Sequence, residues 1–255
     1  MAIIQCTFSS EVLSRSMSMT VILPQSVNNE DKRHPTLYLL HGFSDDHTAW
    51  TRSTSLERYA EHLGLAIVMP GADNSYYSDM VHGGNYWKFI TEELPATARS
   101  FFPLSDKRED NFVAGNSMGG FGALKWGLSH PQAFCAIASL SGVTDMVYHL
   151  HNVRTEGPED KRKTLSLVFG EENIDQTPND LLWQLEQVSK DNVPQPKLFQ
   201  ACGTEDFLYE HNMRFYKKCQ DTDLDLTAIF NEGDHNWEYW DEKIQEVLHW
   251  LPIQN

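Results

Sequence analysis

One serine in this sequence lies between two glycines, in the segment NFVAGNSMGG at residues 111–120. An apolar run precedes it and a helical pattern follows it, so the G-x-S-x-G motif predicts a sharp turn from a strand into a helix. Gly115 and Gly119 suit such a turn because a Cβ at either position would collide across it. The turn would project Ser117 above the sheet, where free N–H groups at the helix N-terminus face any oxyanion formed beside it. We therefore predict that Ser117 is a nucleophile.

A serine hydroxyl is a weak nucleophile at neutral pH and needs a general base that is itself oriented by an acid. With this motif the chain order is serine, acid and histidine, the last two on loops after later strands. His235 follows the apolar run LTAIF and is the base that we predict. Asp206 follows the run KLFQACG and precedes two apolar residues, which favours an inward side chain, so we prefer it to Glu205 as the acid. Asp234 is a rival, but a residue adjacent to the base is poorly placed to reach its Nδ1 atom and fits better as a turn residue.

The reaction also requires donors for the negative charge that develops on a carbonyl oxygen. The segment LYLLHGFSDDH places Gly42 just after a strand, where the backbone can bend so that the N–H of Phe43 faces the site. The N–H of Met118, the residue after the serine, would be the second donor. The sequence DDH at residues 45–47 contains metal-binding residue types, but nothing completes a ligand set. We predict a surface loop there, with no metal and no organic cofactor in the reaction.

The elements that must position these residues follow from short apolar runs that alternate with helical patterns. Nearly continuous apolar runs indicate strands covered on both faces, and the alternation predicts a mostly parallel, doubly wound α/β sheet with helices on both faces. The alternating segment SMSMTVILP predicts an antiparallel edge strand near the start of the chain. The predicted buried strands are residues 36–40, 65–70, 111–115, 135–142, 197–203 and 226–230, and the predicted helices are residues 86–101, 118–128, one with Thr177 as N-cap and Pro178 as its first residue, and 239–250.

Residues 144–196 break this alternation. They are polar, charged and partly helical, and they are inserted between two predicted strands. Such an insertion forms either a short cap over a site or a surface excursion, and the sequence leaves both open. We see no internal repeat or low-complexity linker and predict a single domain over residues 1–255. His130, His149 and His151 lie on helical or polar stretches, and we expect them to be solvated.

Composition limits the classes of function. The 255 residues are 40% hydrophobic and 22% charged, which suits one α/β domain with a substantial core. The formal net charge of −16 repels nucleic-acid phosphates and anionic lipid, so neither is a predicted partner. Four scattered cysteines form no zinc pattern and signal no disulfide, and neither a secretory signal nor a membrane-spanning segment is recognisable. We expect a cytoplasmic protein, although the mature form of an exported one would look the same.

Four segments together resemble a known family. LYLLHGFSDDHTAW, GNSMGGFGALKWGLSHPQAF, CGTEDFLYEHN and EGDHNWEYW are similar to the esterase D-like branch of the α/β hydrolases, and the resemblance spans nearly the whole chain. This branch includes S-formylglutathione hydrolases, feruloyl and acetylxylan esterases, antigen 85 mycolyltransferases and the small tributyrin esterases of lactic-acid bacteria, which the chain resembles most. The resemblance implies the α/β-hydrolase fold, with Ser117, Asp206 and His235 in the triad positions. It also implies oxyanion donors at Phe43 and Met118.

An aromatic loop at residues 71–87 lines a pocket in the pattern of this family, and Tyr76, Tyr77 and Trp87 are its candidates for contact with a substrate. The motifs and the resemblance predict a serine carboxylesterase that cleaves short-chain acyl esters of small molecules through an acyl-enzyme. A thioesterase like S-formylglutathione hydrolase is the alternative. A non-catalytic binding module is less favoured, because such scaffolds typically lack part of the triad. The sequence leaves open whether the chain forms a homo-oligomer.

Overall fold

The computed structural model of the chain describes residues 1–25 and 33–253. The strands in these ranges are β1 (Ala2–Ser10), β2 (Arg15–Leu23), β3 (Thr36–Leu40), β4 (Ala66–Pro70), β5 (Asn111–Asn116), β6 (Ala136–Leu140), β7 (Lys197–Gly203) and β8 (Leu226–Asn231). Together they form one sheet in the order β1-β2-β4-β3-β5-β6-β7-β8. The pairs β1 with β2 and β2 with β4 are antiparallel, and the other pairs are parallel. The described part of the chain therefore has the mostly parallel sheet that the sequence predicts.

Helices connect the strands. They are α1 (Ala49–Ser53), α2 (Leu56–Ala60), α3 (Tyr86–Lys88), α4 (Leu94–Phe101), α5 (Met118–Ser129), α6 (Met146–Glu156), α7 (Glu159–Phe169), α8 (Leu181–Lys190), α9 (Tyr209–Gln220) and α10 (Trp237–Trp250). A π-helical segment, Phe89–Glu93, joins α3 to α4. The helix predicted at residues 86–101 is thus present, with a π-helical middle.

Helices cover both faces of the sheet. Along β3, Tyr38 and Leu40 point into a core that α5 closes, whereas Leu37 and Leu39 point into a second core closed by α10. Successive side chains of a strand point to opposite faces, so a strand covered on both faces has no polar side. All five residues of β3 are buried accordingly. This double burial is why the central strands appear in the sequence as continuous apolar runs.

The prediction that the segment SMSMTVILP lies at the edge of the sheet is wrong. The segment forms β2 and is antiparallel, but it is not at the edge, because β1 pairs along its outer side from Ala2 opposite Leu23 to Ser10 opposite Arg15. Along most of β1, half-buried and exposed residues alternate, which is the pattern of an antiparallel strand with one face towards solvent.

The predicted start of helix α8 is also wrong. The helix begins at Leu181, and its N-cap is Asp180, whose side chain accepts a hydrogen bond from the N–H of Trp183 at 3.0 Å. Thr177 instead donates its hydroxyl to the carbonyl of Ile174 at 2.6 Å and stabilises the preceding turn. A carboxylate at the N-cap satisfies a free helix N–H as a threonine would, so both residues fit the sequence pattern.

The topology brings the loops that contain the predicted site residues to one edge of the sheet. Strands β3, β5, β7 and β8 all belong to the parallel part, so the loops after their C-terminal ends leave the sheet on the same side. The inserted segment at residues 144–196 lies between β6 and β7 and contains α6, α7 and α8.

Candidate active site

Ser117 lies at the turn from β5 into α5 and has a strained backbone, with φ 53° and ψ −118°. A Cβ on Gly115 would lie 2.4 Å from the backbone of Gly119, and a Cβ on Gly119 would lie 2.4 Å from the carbonyl oxygen of Leu40. Only glycine fits both positions. The N–H of Ser117 donates to the carbonyl of Leu140 at 2.9 Å, which anchors the turn to β6. The strand, the glycines and the helix together hold the serine in this conformation.

Three side chains from separate loops meet beside this turn. The Nε2 atom of His235 lies 2.9 Å from the Oγ atom of Ser117, and its Nδ1 atom lies 3.0 and 2.9 Å from the two carboxylate oxygens of Asp206. The side chain of Asp206 is fully buried, and 14% of the His235 side chain is exposed. The N–H of Leu208 donates to the same carboxylate at 2.8 Å.

The electrostatics of this group suit proton transfer. Burial alone would raise the pKa of Asp206, but the hydrogen bond and charge of His235, with the N–H of Leu208, outweigh burial and lower this pKa below its ordinary value. Asp206 is therefore an acceptor at neutral pH, and the Nδ1 atom of His235 carries the proton between them. With the proton on Nδ1, the Nε2 atom is the one placed to accept a proton from Ser117.

The two other acidic candidates form different contacts. Glu205 is exposed and accepts hydrogen bonds from the N–H of Gly233 at 2.7 Å and from the hydroxyl of Thr204 at 2.8 Å. Asp234 is exposed and accepts a hydrogen bond from the backbone N–H of His235 at 2.7 Å. Glu205 thereby ties the loop after β7 to the loop after β8, which helps to keep Asp206 and His235 together.

Phe43 and Met118, the predicted oxyanion donors, flank the serine. The N–H of Met118 belongs to the first turn of α5, where a helix offers its N–H groups no internal acceptor. On the other side, a Cβ added to Gly42 would lie 3.5 Å from the Cβ of Ser117, so the loop after β3 passes directly beside the serine. Phe43 lines the adjoining pocket.

The peptide between Gly42 and Phe43 is oriented by a buried histidine. The Nδ1 atom of His41 donates to the carbonyl of Gly42 at 2.7 Å, and its Nε2 atom accepts from the N–H of Ala72 at 3.0 Å. Burial lowers the pKa of His41, which favours the neutral ring with the one donor and one acceptor that these contacts require. Because the C=O and N–H of a trans peptide point in opposite directions, the N–H of Phe43 is directed away from His41.

A pocket of about 220 Å³ opens above the serine. Helices α6 and α7 form part of its wall, so the inserted segment contributes to the site. This volume lies below the roughly 300–1,000 Å³ of pockets that take drug-sized ligands, which favours a small substrate. The apolar lining residues are Phe43, Tyr76, Val143, Leu165, Phe207, Leu208 and Trp240, and the polar ones besides Ser117 and His235 are Asp45, Asn116, His149, Lys161 and Thr164.

The aromatic loop at residues 71–87 contributes one of its three candidates to this pocket. Tyr76 lines it. Tyr77 is completely buried, and its hydroxyl donates to the carbonyl of His41 at 2.9 Å. Trp87 packs against the core, with the ammonium of Lys125 4.3 Å from its ring centre.

Two of the three histidines that we expected to be solvated are not. His149 is half-buried, its ring lies between those of Tyr76 and His211, and burial is the main cause that lowers its pKa to about 3. His130 is half-buried against Trp87, and only His151 is exposed. The sequence around His130 and His149 does not indicate this burial, because burial depends on the side chains that pack against these residues in the fold.

The pocket residues of α7 were also missed. Lys161, Thr164 and Leu165 have the i, i+3, i+4 spacing that puts side chains on one face of a helix. That spacing is a signal in the sequence, but it does not say which face meets the site.

The acidic loop at residues 45–47 bonds to protein neighbours. Asp46 accepts from the hydroxyl of Thr48 at 2.6 Å, and the Nδ1 atom of His47 lies 2.8 Å from the hydroxyl of Thr20. Across residues 1–25 and 33–253, no three His, Cys, Asp or Glu side chains are grouped as metal ligands. No helix in those ranges is long and apolar enough to cross a membrane.

The sheet topology, the strand-turn-helix at Ser117 and the loops that converge on it are those of the α/β-hydrolase class. The chain belongs to the Esterase family, because the family model described as "Putative esterase" matches residues 10–251. It is 30% identical to an acetyl esterase of Caldicellulosiruptor saccharolyticus over 271 residues, which cover 98% of each chain.

Solved structures agree with this assignment. The fluorophosphonate-binding serine hydrolase F of Staphylococcus aureus, in its substrate-bound form, has a TM-score of 0.90 and 33% identity, covering 100% of this chain and 99% of that one. The S-formylglutathione hydrolase of the same organism has a TM-score of 0.85 and 33% identity, covering 98% of both chains. The resemblance and the fold class predicted from the motifs are confirmed, and the chain is a carboxylic ester hydrolase of the serine type.

Proposed function

We propose that the chain hydrolyses short-chain acyl esters, with Ser117 as the nucleophile, His235 as general base and acid, and Asp206 as the residue that orients His235. The observation that carries this proposal is the continuous chain of hydrogen bonds from the buried carboxylate through the imidazole to the serine hydroxyl, at distances of 2.9 to 3.0 Å. These distances are within the range required for proton transfer.

The reaction follows from these contacts. The Oγ atom of Ser117 attacks the ester carbonyl carbon while its proton passes to the Nε2 atom of His235, and Asp206 stabilises the imidazolium. The N–H groups of Phe43 and Met118 donate to the oxyanion of the tetrahedral intermediate. The intermediate collapses as His235 gives its proton to the leaving alcohol, and the acyl group stays on the serine. Water then attacks the acyl-enzyme with the same base, releasing the acid and free serine.

The short-chain preference rests on the size and lining of the pocket. About 220 Å³ must hold both the acyl group and part of the alcohol. Tyr76 packs against Phe43 and Phe169, with ring centres 6.0 and 5.9 Å apart, so the apolar wall is supported by further rings. The acetyl esterase relative is consistent with this size class.

A thioesterase is the second candidate. It is favoured by the S-formylglutathione hydrolase of Staphylococcus aureus, which matches 98% of this chain. A serine and an oxyanion hole can attack either type of carbonyl, so their geometry does not separate the two activities. Comparing kcat/KM for S-formylglutathione with that for p-nitrophenyl butyrate does, and a large preference for the thioester would replace the ester as the proposed substrate.

The test of the proposed function is a series of p-nitrophenyl esters of increasing acyl length, run on the wild type and on Ser117→Ala. We expect kcat/KM to be highest for the shortest chains and hydrolysis to be nearly abolished in the variant. A maximum at long acyl chains would contradict the substrate class. Substantial turnover by Ser117→Ala would contradict the mechanism.

We also propose a cytoplasmic location, supported by the acidic surface and by four cysteines that are free thiols. Fractionation of the source cells tests it.

The sequence leaves self-association open, and the exposed apolar side chains of Val81 and Leu167 support it. Their segments are hydrogen-bonded, since the N–H of His82 donates to the carbonyl of Leu167 at 2.9 Å. Sedimentation velocity would detect self-association.

A further inference from the structure

The wall that α6 and α7 contribute to the pocket contains three polar side chains that the proposed reaction does not use. The hydroxyl of Thr164 donates to the carbonyl of Asp160 at 3.0 Å, which leaves the imidazole of His149 and the ammonium of Lys161. In the described part of the chain, the ring nitrogens of His149 and the ammonium of Lys161 have no hydrogen-bond or ion-pair partner. His149 contacts the rings of Tyr76 and His211, and Lys161 lies over the ring of Phe207. Polar groups that face a pocket without a protein partner are available to a ligand.

Lys161 is on the side of the pocket where the leaving group departs. The ring centres of Phe207 and His235 are 4.4 Å apart, and the ammonium of Lys161 lies 5.6 Å from the centre of the Phe207 ring. His235 must touch the leaving oxygen or sulfur to protonate it. The cation therefore lies one aromatic ring away from the position of the leaving group. Because Phe207 is 63% exposed and Lys161 is exposed, this is the mouth of the pocket.

The charge of Lys161 differs from that of its surroundings. The chain carries a net charge of −16, which disfavours the approach of anions in general. The one carboxylate among the pocket-lining residues that the structure describes, that of Asp45, is paired with Arg52 at 3.6 Å. Lys161 is thus the pocket-lining cation with no paired carboxylate among residues 1–25 and 33–253. Because a surface charge acts over a screening length of about 8 Å at physiological salt, it can attract an anion locally in spite of the net charge.

His149 complements this cation. Burial and the neighbouring charge of Lys161 both oppose protonation of the imidazole, so the ring is neutral at neutral pH and offers one N–H donor and one acceptor. Its position between the rings of Tyr76 and His211 holds it in place. A neutral donor beside a cation can bind one oxygen of a carboxylate without adding a second desolvated charge.

We propose that Lys161, assisted by His149, selects esters or thioesters whose leaving group carries a carboxylate. This inference rests on the proposed function, because it concerns the substrate of the same site. It assigns a specificity role to the inserted segment and predicts a substrate class, which is a small acyl group on an anionic alcohol or thiol.

The experiment compares two esters that differ in charge but little in shape, 3-carboxyphenyl butyrate and 3-carbamoylphenyl butyrate. The measured quantity is the ratio of their kcat/KM values, with the neutral ester as the internal reference for each variant. We expect Lys161→Ala to lower the ratio about 5-fold, the size of one partly exposed ion pair. Lys161→Glu should lower it about 25-fold, since a like charge repels by a similar amount. His149→Phe, which keeps an aromatic side chain but removes both ring nitrogens, should also lower the ratio.

Lys163→Ala is the matched control. It removes a lysine from the same helix, but that lysine is paired with Glu159 at 2.6 Å and does not line the pocket. We expect the control to leave the ratio unchanged. Raising the salt concentration should reduce the difference in this ratio between the wild type and Lys161→Ala, because the screening length falls from about 10 Å at 0.1 M to about 3 Å at 1 M. The repulsion by the net charge is screened equally in both proteins and cancels in this comparison.

The outcomes separate this inference from the proposed function. If the wild type hydrolyses both esters through Ser117 but the ratio is the same in Lys161→Glu and Lys163→Ala, the selection of a carboxylate is wrong and the esterase mechanism stands. If Ser117→Ala hydrolyses the neutral ester as well as the wild type does, the proposed mechanism itself is wrong. An effect of Lys161→Glu that is equally large for a carboxylate on the acyl side, tested with mono-4-nitrophenyl glutarate against 4-nitrophenyl butyrate, would overturn the assignment to the leaving group.

Discussion

The replacement of Asp206 by asparagine isolates the charge behind His235. The two residues are nearly the same shape, so the pocket and the loop after β7 should be retained. The change removes a buried negative charge from the Nδ1 side of the imidazole, where both carboxylate oxygens lie within 3.0 Å. An asparagine can also donate an N–H to that nitrogen, which would hold the ring in the tautomer that cannot accept a proton from Ser117.

The size of the effect follows from the charge separation. In the transition state His235 becomes an imidazolium, and its charge centre is about 4 Å from that of the carboxylate. At an effective dielectric constant of about 20, two unit charges at this distance attract by about 4 kcal/mol. Since each 1.36 kcal/mol changes a rate tenfold, we expect kcat to fall by about 10³. The tautomer effect adds to this loss.

The assay is the initial rate of p-nitrophenyl butyrate hydrolysis at neutral pH, with circular dichroism to check that the variant is folded. Asp234→Asn is the matched control, because it removes a neighbouring exposed carboxylate that contacts a backbone N–H group. We expect this variant to stay within about threefold of the wild type. A folded Asp206→Asn variant that retains a tenth or more of the wild-type kcat would refute the reasoning, as would an equal loss in Asp234→Asn.

The remaining predictions concern stability. Gly119→Ala should lower the free energy of unfolding by about 3 kcal/mol, because its Cβ would lie 2.4 Å from the carbonyl oxygen that ends β3. Gly71→Ala, whose Cβ would come no nearer than 3.4 Å to its neighbours, is the control, and similar urea-unfolding midpoints for both would contradict the steric account. Lys125 is buried, and its ammonium donates to Tyr77 and Ser78 while burial lowers its pKa from 10.5 to about 7. Between those values the unfolded chain binds more protons at this residue, so its contribution to stability rises with pH. The free energies of unfolding of the wild type and of Lys125→Met are measured by urea at pH 7 and pH 9. The wild-type value minus the variant value should be larger at pH 9, and the same difference at both pH values would contradict the lowered pKa of Lys125.

The central strands and the residues around Ser117 could be predicted from the sequence because their signals are local. The strands predicted at residues 36–40 and 197–203 match β3 and β7, since each is a buried apolar run bounded by a change in composition. The parallel order of the strands then implies that loops after β5, β7 and β8 meet at one edge of the sheet. That inference brought Asp206 and His235 into consideration without any contact being known.

Features that depend on packing between distant segments were not predictable in the same way. β1 has one face towards solvent and a weaker apolar pattern than the central strands, so the sequence pattern predicts β2 as the edge instead. The burial of His149 depends on how α6 packs against Tyr76 and His211, which are distant from it in sequence. The contribution of α7 to the pocket was not predictable for the same reason. A helical spacing identifies which residues share a face, but it does not identify the element that this face contacts.

In the proposed mechanism the acyl group is transferred to Ser117 before water removes it. The most direct test is to quench the enzyme during turnover of p-nitrophenyl butyrate, digest it and locate the butyryl group by mass spectrometry. We expect the adduct on the peptide that contains Ser117, and no adduct in His235→Ala under the same conditions. An adduct on another residue, or rapid hydrolysis in Ser117→Ala with no acylated peptide, would contradict this mechanism.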